Sequence, residues 1–243
     1  MCSMNNSAFF FDLDNTLFNY EASFKKASLF AFNSIFVPKL NQLVDVEKWF
    51  QCYKGFCDLY WTAYENNRMT REEYRRNRLI SSFISMNLPI SINDDMLLQF
   101  QYQVEKSIPS FVEPYPWIGK LWCKISKSCC QVGIISNGDS HLQRSKLEKL
   151  RLNLSTAAVY ISSEISLSKP SPDIFTYAAN QTNAKYYYYC GDSLEFDIFP
   201  AVQAGWTGIW WNPERRKFTG SDSRIQICQT PEKLMNTFMK YIE

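Results

Sequence analysis

Two carboxylates spaced two residues apart leave an apolar run together in Asp12-Leu13-Asp14-Asn15-Thr16. Such a pair offers a nucleophile and a proton carrier, and where both face a buried site they repel and need a cation to stay ionised. Three further stretches carry matching chemistry. Ser136-Asn137-Gly138 provides a hydroxyl and the N–H groups of a tight turn ahead of a helical stretch, which suits a phosphate. Ser168-Lys169-Pro170-Ser171-Pro172 restricts a lysine beside two prolines, a fixed positive charge for a fixed anion. Cys190-Gly191-Asp192-Ser193, with Asp197 five residues past Asp192, adds two more carboxylates. Alone, each has an ordinary reading: a capped turn, a turn, an exposed loop lysine, and a helix cap at Asp197. Together they form the set for Mg²⁺-assisted phosphoryl transfer through a carboxylate nucleophile.

These groups all sit where strands end. Phe9 to Leu13, Val132 to Ser136, Ala158 to Ser162, Tyr186 to Cys190 and Gly208 to Trp211 are short, uniformly apolar runs, the pattern of strands covered on both faces. Helical stretches follow the second, third and fourth: Ser140 to Leu150, Pro172 to Gln181 and Asp197 to Ala204. The alternation predicts an α/β fold with a Rossmann-like, doubly wound parallel sheet, in which ligands bind beyond the carboxyl ends of the strands. Tyr20 to Val112 has another texture. It holds no strand-like run, and Phe24, Ala27, Ala31 and Ser34 keep a helical spacing. Asp45 caps a helix through Tyr64, Thr70 with Glu73 forms a capping box, and a further helix begins at Asn93 after the Pro89 break. The expected organisation is a catalytic core of residues 1–19 and 112–243 with an all-helical domain, residues 20–111, inserted in it.

The four stretches, in this order, resemble the motifs of the haloacid dehalogenase (HAD) superfamily: Asp12-Leu13-Asp14-Asn15-Thr16, Ser136-Asn137-Gly138, Lys169 within SKPSPDIF, and Gly191-Asp192 with Asp197. The insert falls where subclass I of that superfamily places a helical cap. FFFDLDNTLFNYEAS, GIISNGDSHLQRSKLEKL and ISSEISLSKPSPDIF further resemble a bacterial branch of house-cleaning pyrimidine 5′-nucleotidases. One departure is Phe199-Pro200, where a small residue often precedes the alanine of the fourth motif. The resemblance implies that Asp12 is the nucleophile and Asp14 the general acid and base, the latter starting protonated near neutral pH. It implies that Mg²⁺ is held by Asp12, the Asp14 backbone carbonyl and Asp192 with Asp197 in support, and that Lys169, Ser136, Asn137 and Gly138 bind the phosphoryl group. Superfamily dehalogenases lack the second aspartate, because a halide leaves without a proton, so Asp14 points to phosphate esters. A phosphonatase route would need an imine-forming lysine, for which the insert offers Lys25, Lys26, Lys39, Lys48, Lys54 and Lys106. A β-phosphoglucomutase-like mutase and sugar phosphate or phosphoglycolate phosphatases share the motifs, as would a non-catalytic binding protein on the same fold.

The expected partner is a small phosphorylated metabolite, a nucleotide in the leading reading, with Phe18, Tyr20, Trp61 and Tyr64 as candidates to meet its base, although most such aromatics pack in a core. The net charge is +2, from 26 Lys and Arg against 24 Asp and Glu, which excludes a polyanion-binding surface for nucleic acid. The short basic group Arg215 to Lys217 reads as a solvated turn. The sole histidine, His141, reads as a first-turn helix residue. Eight cysteines are too few for a disulfide framework in 243 residues, and the neighbours Cys129 and Cys130 are poorly placed to pair with each other. No signal segment or membrane-spanning run is expected, so the anticipated location is cytoplasmic. Aromatics are abundant at 16%, whereas glycine occurs 8 times and once, at Gly55, in the insert.

Overall fold

A computed structural model describes residues 6–128 and 130–242. The chain divides into two compact units, one running through Tyr20 and resuming at Val112, the other Glu21–Phe111.

The first unit is built on a six-stranded, all-parallel sheet: β1 (Ser7–Phe11), β2 (Gln131–Ser136), β3 (Ala158–Ile161), β4 (Tyr186–Gly191), β5 (Thr207–Trp211) and β6 (Ile225–Cys228), in the order β3-β2-β1-β4-β5-β6. The order reverses at β1, which pairs with β2 on one side and β4 on the other; this is the switch point where an open α/β sheet leaves a crevice. Strand β1 shows why both faces read as apolar. Phe9 and Phe11 pack with Trp122 and Phe238 on one face, while Ala8 and Phe10 pack with Phe175 and Trp206 on the other. Period-2 alternation thus feeds two cores from one uninterrupted run.

Strand β1 starts and ends two residues earlier than the sequence reading expects. Asp12 is therefore the first residue past the strand, its N–H donating to the Cys190 carbonyl at 2.8 Å. The reading also misses β6, a four-residue edge strand in which Gln226 interrupts the apolar residues, so no continuous run marks it.

The second unit is helical, as expected. Its helices are α1 (Tyr20–Ile35, whose first residue belongs to the sheet unit), α2 (Val46–Glu65), α3 (Arg71–Ser85) and α4 (Asp94–Ser107). Asp45 accepts from the Lys48 N–H, Thr70 and Glu73 make the reciprocal capping box, and Asn93 accepts from the Met96 N–H. The α1 stripe differs at one position. Ser34 is exposed and bonds back to the Phe30 carbonyl, while Phe32 and Ile35 complete the buried face with Phe24, Ala27 and Ala31. The centre of this unit is aromatic: Phe32 stacks on Trp49 at 3.9 Å and Trp49 on Tyr53 at 5.1 Å.

The sheet unit's helices are α5 (Ile118–Lys127), α6 (Ser140–Lys149), α7 (Ser162–Ile165), α8 (Asp173–Asn180), α9 (Phe199–Gln203) and α10 (Pro231–Ile242). Where one helix from Asp197 is expected, a π-helical turn, Leu194–Ile198, precedes α9, with Pro200 in the first turn of α9. The N-cap of that turn is Ser193, whose hydroxyl accepts from the Phe196 N–H while its own N–H donates to Asp197 Oδ2, so Asp197 supports the cap from inside the turn. Cys52, Cys57, Cys123, Cys130, Cys190 and Cys228 are free thiols, and Cys129 lies outside the described residues. No helix among the described residues is long and apolar enough to cross a membrane.

Candidate active site

The ends of β1, β2 and β4 lie side by side in the sheet, which brings the sequence-distant motifs of the sheet unit together. The centre is Lys169, whose side chain is 4% exposed. Its Nζ lies 2.6 Å from Asp12 Oδ1 and 2.6 Å from Asp197 Oδ1, and it donates to the Tyr189 hydroxyl at 3.0 Å. Burial alone would strip the ammonium of its proton, but Asp12 and Asp197 outweigh that and hold its pKa well above the usual lysine value. Asn137 fixes the backbone beneath it: its side-chain N–H donates to the Lys169 carbonyl at 2.7 Å and its Oδ1 accepts from the Lys169 N–H at 2.9 Å.

Asp12, Asp192 and Asp197 each turn a carboxylate oxygen to a common point, these atoms lying within 4.8 Å of one another. Burial pushes Asp12 up to about 7, with Asp197 and Asp14 adding to it against the pull of Lys169. Burial likewise pushes Asp192 up to about 8, helped by Asp197 and Asp12. Two carboxylates that resist ionising beside a third are a hard-oxygen donor set short of positive charge, which fits a divalent cation such as Mg²⁺. The oxygens of Asp197 are engaged, Oδ1 by Lys169 and Oδ2 by the Ser193 N–H at 3.0 Å, which suits it to a supporting place. Gly191 makes that place possible, because a Cβ there would lie 2.4 Å from the Asp197 Cγ.

The Ser136-Asn137-Gly138 stretch is arranged differently from the expectation at one atom. Gly138, at φ +144°, gives its N–H to the Ser162 hydroxyl at 2.9 Å, so that amide already has a partner. Ser136 accepts from Gln143 Nε2 at 2.7 Å, which uses a lone pair and leaves its own O–H proton to donate. Asp14 is gripped by Lys146, whose Nζ lies 2.9 Å from Oδ1 and 2.8 Å from Oδ2.

Among the aromatic candidates, Phe18 is a correction. It is fully buried, belongs to the sheet core and bridges to Asp14 and Pro114, so its ring has no surface for a ligand. Tyr20 is part-buried with its ring under Lys146 Nζ at 4.8 Å. Trp61 is 44% exposed within the helical unit, and Tyr64 stacks on Tyr74 at 5.1 Å. His141 is exposed in the first turn of α6. Arg216 revises the solvated-turn reading of the basic group: it bonds the Asp192 carbonyl and reaches within 4.0 Å of that carboxylate.

Sequence reasoning misses Gln143, Lys146 and Tyr189. A signal for the first two is present. Residues 143, 146, 147 and 150 make one helical stripe, in which a glutamine and a lysine stand beside two leucines.

Comparison with known families decides the wider identity. A profile of the family described as "Haloacid dehalogenase-like hydrolase" matches residues 9–210. The chain belongs to that family. The HAD chain is similar to the pyrimidine 5′-nucleotidase YjjG of Escherichia coli (strain K12), at 26% identity over 212 residues, 86% of this chain and 87% of that one. It is also 25% identical over 211 residues to the HAD-hydrolase YfnB of Bacillus subtilis (strain 168), covering 85% of this chain and 84% of YfnB. The crystal structure of YfnB bound to magnesium superposes with a TM-score of 0.79 at 20% identity, over 95% of this chain and 97% of that one. A 2-haloacid dehalogenase from Pseudomonas syringae pv. Tomato DC3000 shares the HAD fold at a TM-score of 0.62 and 18% identity, covering 97% and 99%.

Proposed function

We propose that this HAD hydrolase is a Mg²⁺-dependent phosphomonoesterase that works through an aspartyl-phosphate on Asp12 and takes a nucleoside 5′-monophosphate, a pyrimidine nucleotide in particular, as substrate. The observation that carries the reading is the pair Asp12 and Asp14, one carboxylate beside Lys169 and the other held apart from it by Lys146. Two carboxylates in separate environments can take separate roles, whereas halide departure would need only the first. The relative named as a pyrimidine 5′-nucleotidase supports the substrate class.

In the first half, a carboxylate oxygen of Asp12 forms a bond to phosphorus as the ester P–O bond breaks, and Asp14 gives its proton to the leaving alkoxide. In the second, a water oxygen bonds to phosphorus as the Asp12–phosphorus bond breaks, the water proton passes to Asp14, and inorganic phosphate leaves. Lys169 offsets phosphoryl charge while the Ser136 hydroxyl donates to a phosphoryl oxygen. Asp12, the Asp14 carbonyl and Asp192, with Asp197 beside them, would hold Mg²⁺, which would supply the positive charge that lets a carboxylate approach a phosphate. Of the lysines an imine route would need, Lys25 is paired with Glu47 and Lys54 with Glu21 and Asp58.

The test is a substrate panel with and without Mg²⁺. Pyrimidine nucleoside monophosphates are expected to give a higher kcat/KM than phosphoglycolate or sugar phosphates, and Asp12→Asn to abolish turnover of all of them. The reverse substrate order would remove the nucleotidase assignment, and equal rates for wild type and Asp12→Asn would remove the nucleophile. Sugar phosphates converted to isomers instead of free phosphate would establish a mutase.

A further inference from the structure

Lys146 is 2% exposed and Gln143 is 1% exposed, and they lie one helical turn apart on the face of α6 that carries Leu147 inward. A buried ammonium costs free energy unless it is matched, and the match here is Asp14, 132 positions earlier in the chain. Both oxygens of Asp14 meet the same Nζ. Gln143 Nε2 donates to Ser136 Oγ at 2.7 Å and to the Asn137 carbonyl at 3.0 Å, and Asp14 Oδ2, 3.3 Å away, shares one of its two protons. The Tyr20 ring stands 4.8 Å from the ammonium on a further side.

We propose that Lys146, with Gln143, is a positioning residue that sets the direction of the Asp14 carboxyl group, leaving Oδ1 as the oxygen that exchanges protons with the leaving group and with water. A carboxylate offers about four lone-pair sites. Lys146 takes one on each oxygen and the shared Gln143 proton leans on Oδ2, so the less occupied oxygen is Oδ1. Proton exchange needs an approach of about 2.6–3.2 Å, and a misplacement of about 1 Å can cost about a hundredfold in rate. Asp14 is part-exposed on a turn, its side chain 29% accessible, so without the grip nothing comparable among its described contacts would fix the torsions of that side chain. The same glutamine ties Asp14 to Ser136, so one helix sets the spacing between the proton carrier and a phosphoryl-oxygen donor. This inference rests on the phosphatase reading for the reaction that Asp14 serves, but not on the nucleotide assignment.

The experiment is a double-mutant cycle on p-nitrophenyl phosphate and on a nucleoside monophosphate, with saturating Mg²⁺ and thermal melts for each protein. Lys146→Met is expected to lower kcat by about 10- to 100-fold with KM changed by less than about 2-fold, and Lys146→Arg to recover most of the loss. In an Asp14→Asn background the same Lys146→Met change is expected to cost less than about 2-fold, because the residue it acts through is already gone. Wild-type kcat in Lys146→Met would overturn the inference, as would an equal loss in both backgrounds, which marks a purely structural lysine. Should Lys146→Met fail to fold, Gln143→Met carries the same cycle with the same two outcomes. A wild-type protein that hydrolyses no ester refutes the phosphatase reading; turnover that is insensitive to Lys146 refutes this inference alone.

Discussion

A lysine with 4% of its side chain exposed is held in place by the charges it touches, and Lys169 touches two carboxylates at once. Removing one member of a buried ionic group leaves the others uncompensated, at a cost of about 3–5 kcal/mol. Lys169→Met is therefore expected to lower stability by about that much at neutral pH and above, in addition to removing turnover. Acid should soften the defect. Asp12 and Asp192 are already pushed up to about 7 and about 8, so below those values they take up protons and need the ammonium less. Melts of wild type and Lys169→Met without Mg²⁺ check this: the gap in Tm should narrow from about pH 8 to about pH 5. A gap that stays the same across that range would show that Lys169 supports the fold by packing alone.

Strand ends do the work of gathering this site, and their positions follow from where apolar runs stop. The run that ends at Phe11 hands Asp12 to the crevice between β1 and β4, and the motif order reads directly along the chain. Strands β1 to β5 and the capped helices were legible because each has a local signature: a continuous apolar run, or a Ser, Thr, Asp or Asn followed by a helical stripe. Strand β6 was not, because Gln226 interrupts its apolar residues, whereas β3, the other edge strand and as part-buried, reads Ala158-Val159-Tyr160-Ile161 without a break; the pairing of β6 with β5 is a tertiary fact. Lys146 was read past for a related reason. A lysine in a stripe looks like a solvated residue until its partner, far off in sequence, is known. Phe18 failed the opposite way, since nearness to a motif in sequence says nothing about which face of the backbone a ring takes. In the helical unit the core rests on one indole: Trp49 stacks on Phe32 and Tyr53 and donates Nε1–H to Ser82 Oγ at 3.1 Å. Trp49→Ala should cost about 3–5 kcal/mol, and Trp49→Phe distinctly less, in urea unfolding followed by helical circular dichroism. Equal midpoints for wild type and Trp49→Ala would mean that the stack does not hold this unit together.

A net charge of +2 conceals an uneven distribution, since the strand-end cluster sets three carboxylates against one lysine. The imbalance makes folding, protons and metal three linked equilibria. Relative to an ordinary aspartate near 3.8, the folded chain holds protons on Asp12 and Asp192 up to about 7 and about 8. Between those limits the folded state binds more protons than the unfolded one, so the slope of unfolding free energy with pH is negative. The stability these two groups contribute is fully present below the ordinary aspartate range and is lost as pH rises through their folded values. Lys169, raised well above its usual value, keeps its charge throughout that window and adds no slope there. A divalent cation at the deprotonated cluster would have to displace those protons, so its grip would strengthen over the same range in which the metal-free fold weakens. A ligand at about 100 times its dissociation constant adds about 2.7 kcal/mol to stability, and protonation of the cluster lowers that gain. The rise in Tm on adding Mg²⁺ should therefore be larger near pH 8 than near pH 6, and EDTA should reverse it at both. Scanning calorimetry of Asp192→Asn supplies the control, in which the Mg²⁺ increment should shrink at both pH values. An increment in the wild type that is equal at the two pH values would mean that the carboxylates are already ionised without metal, balanced by Lys169 and Arg216.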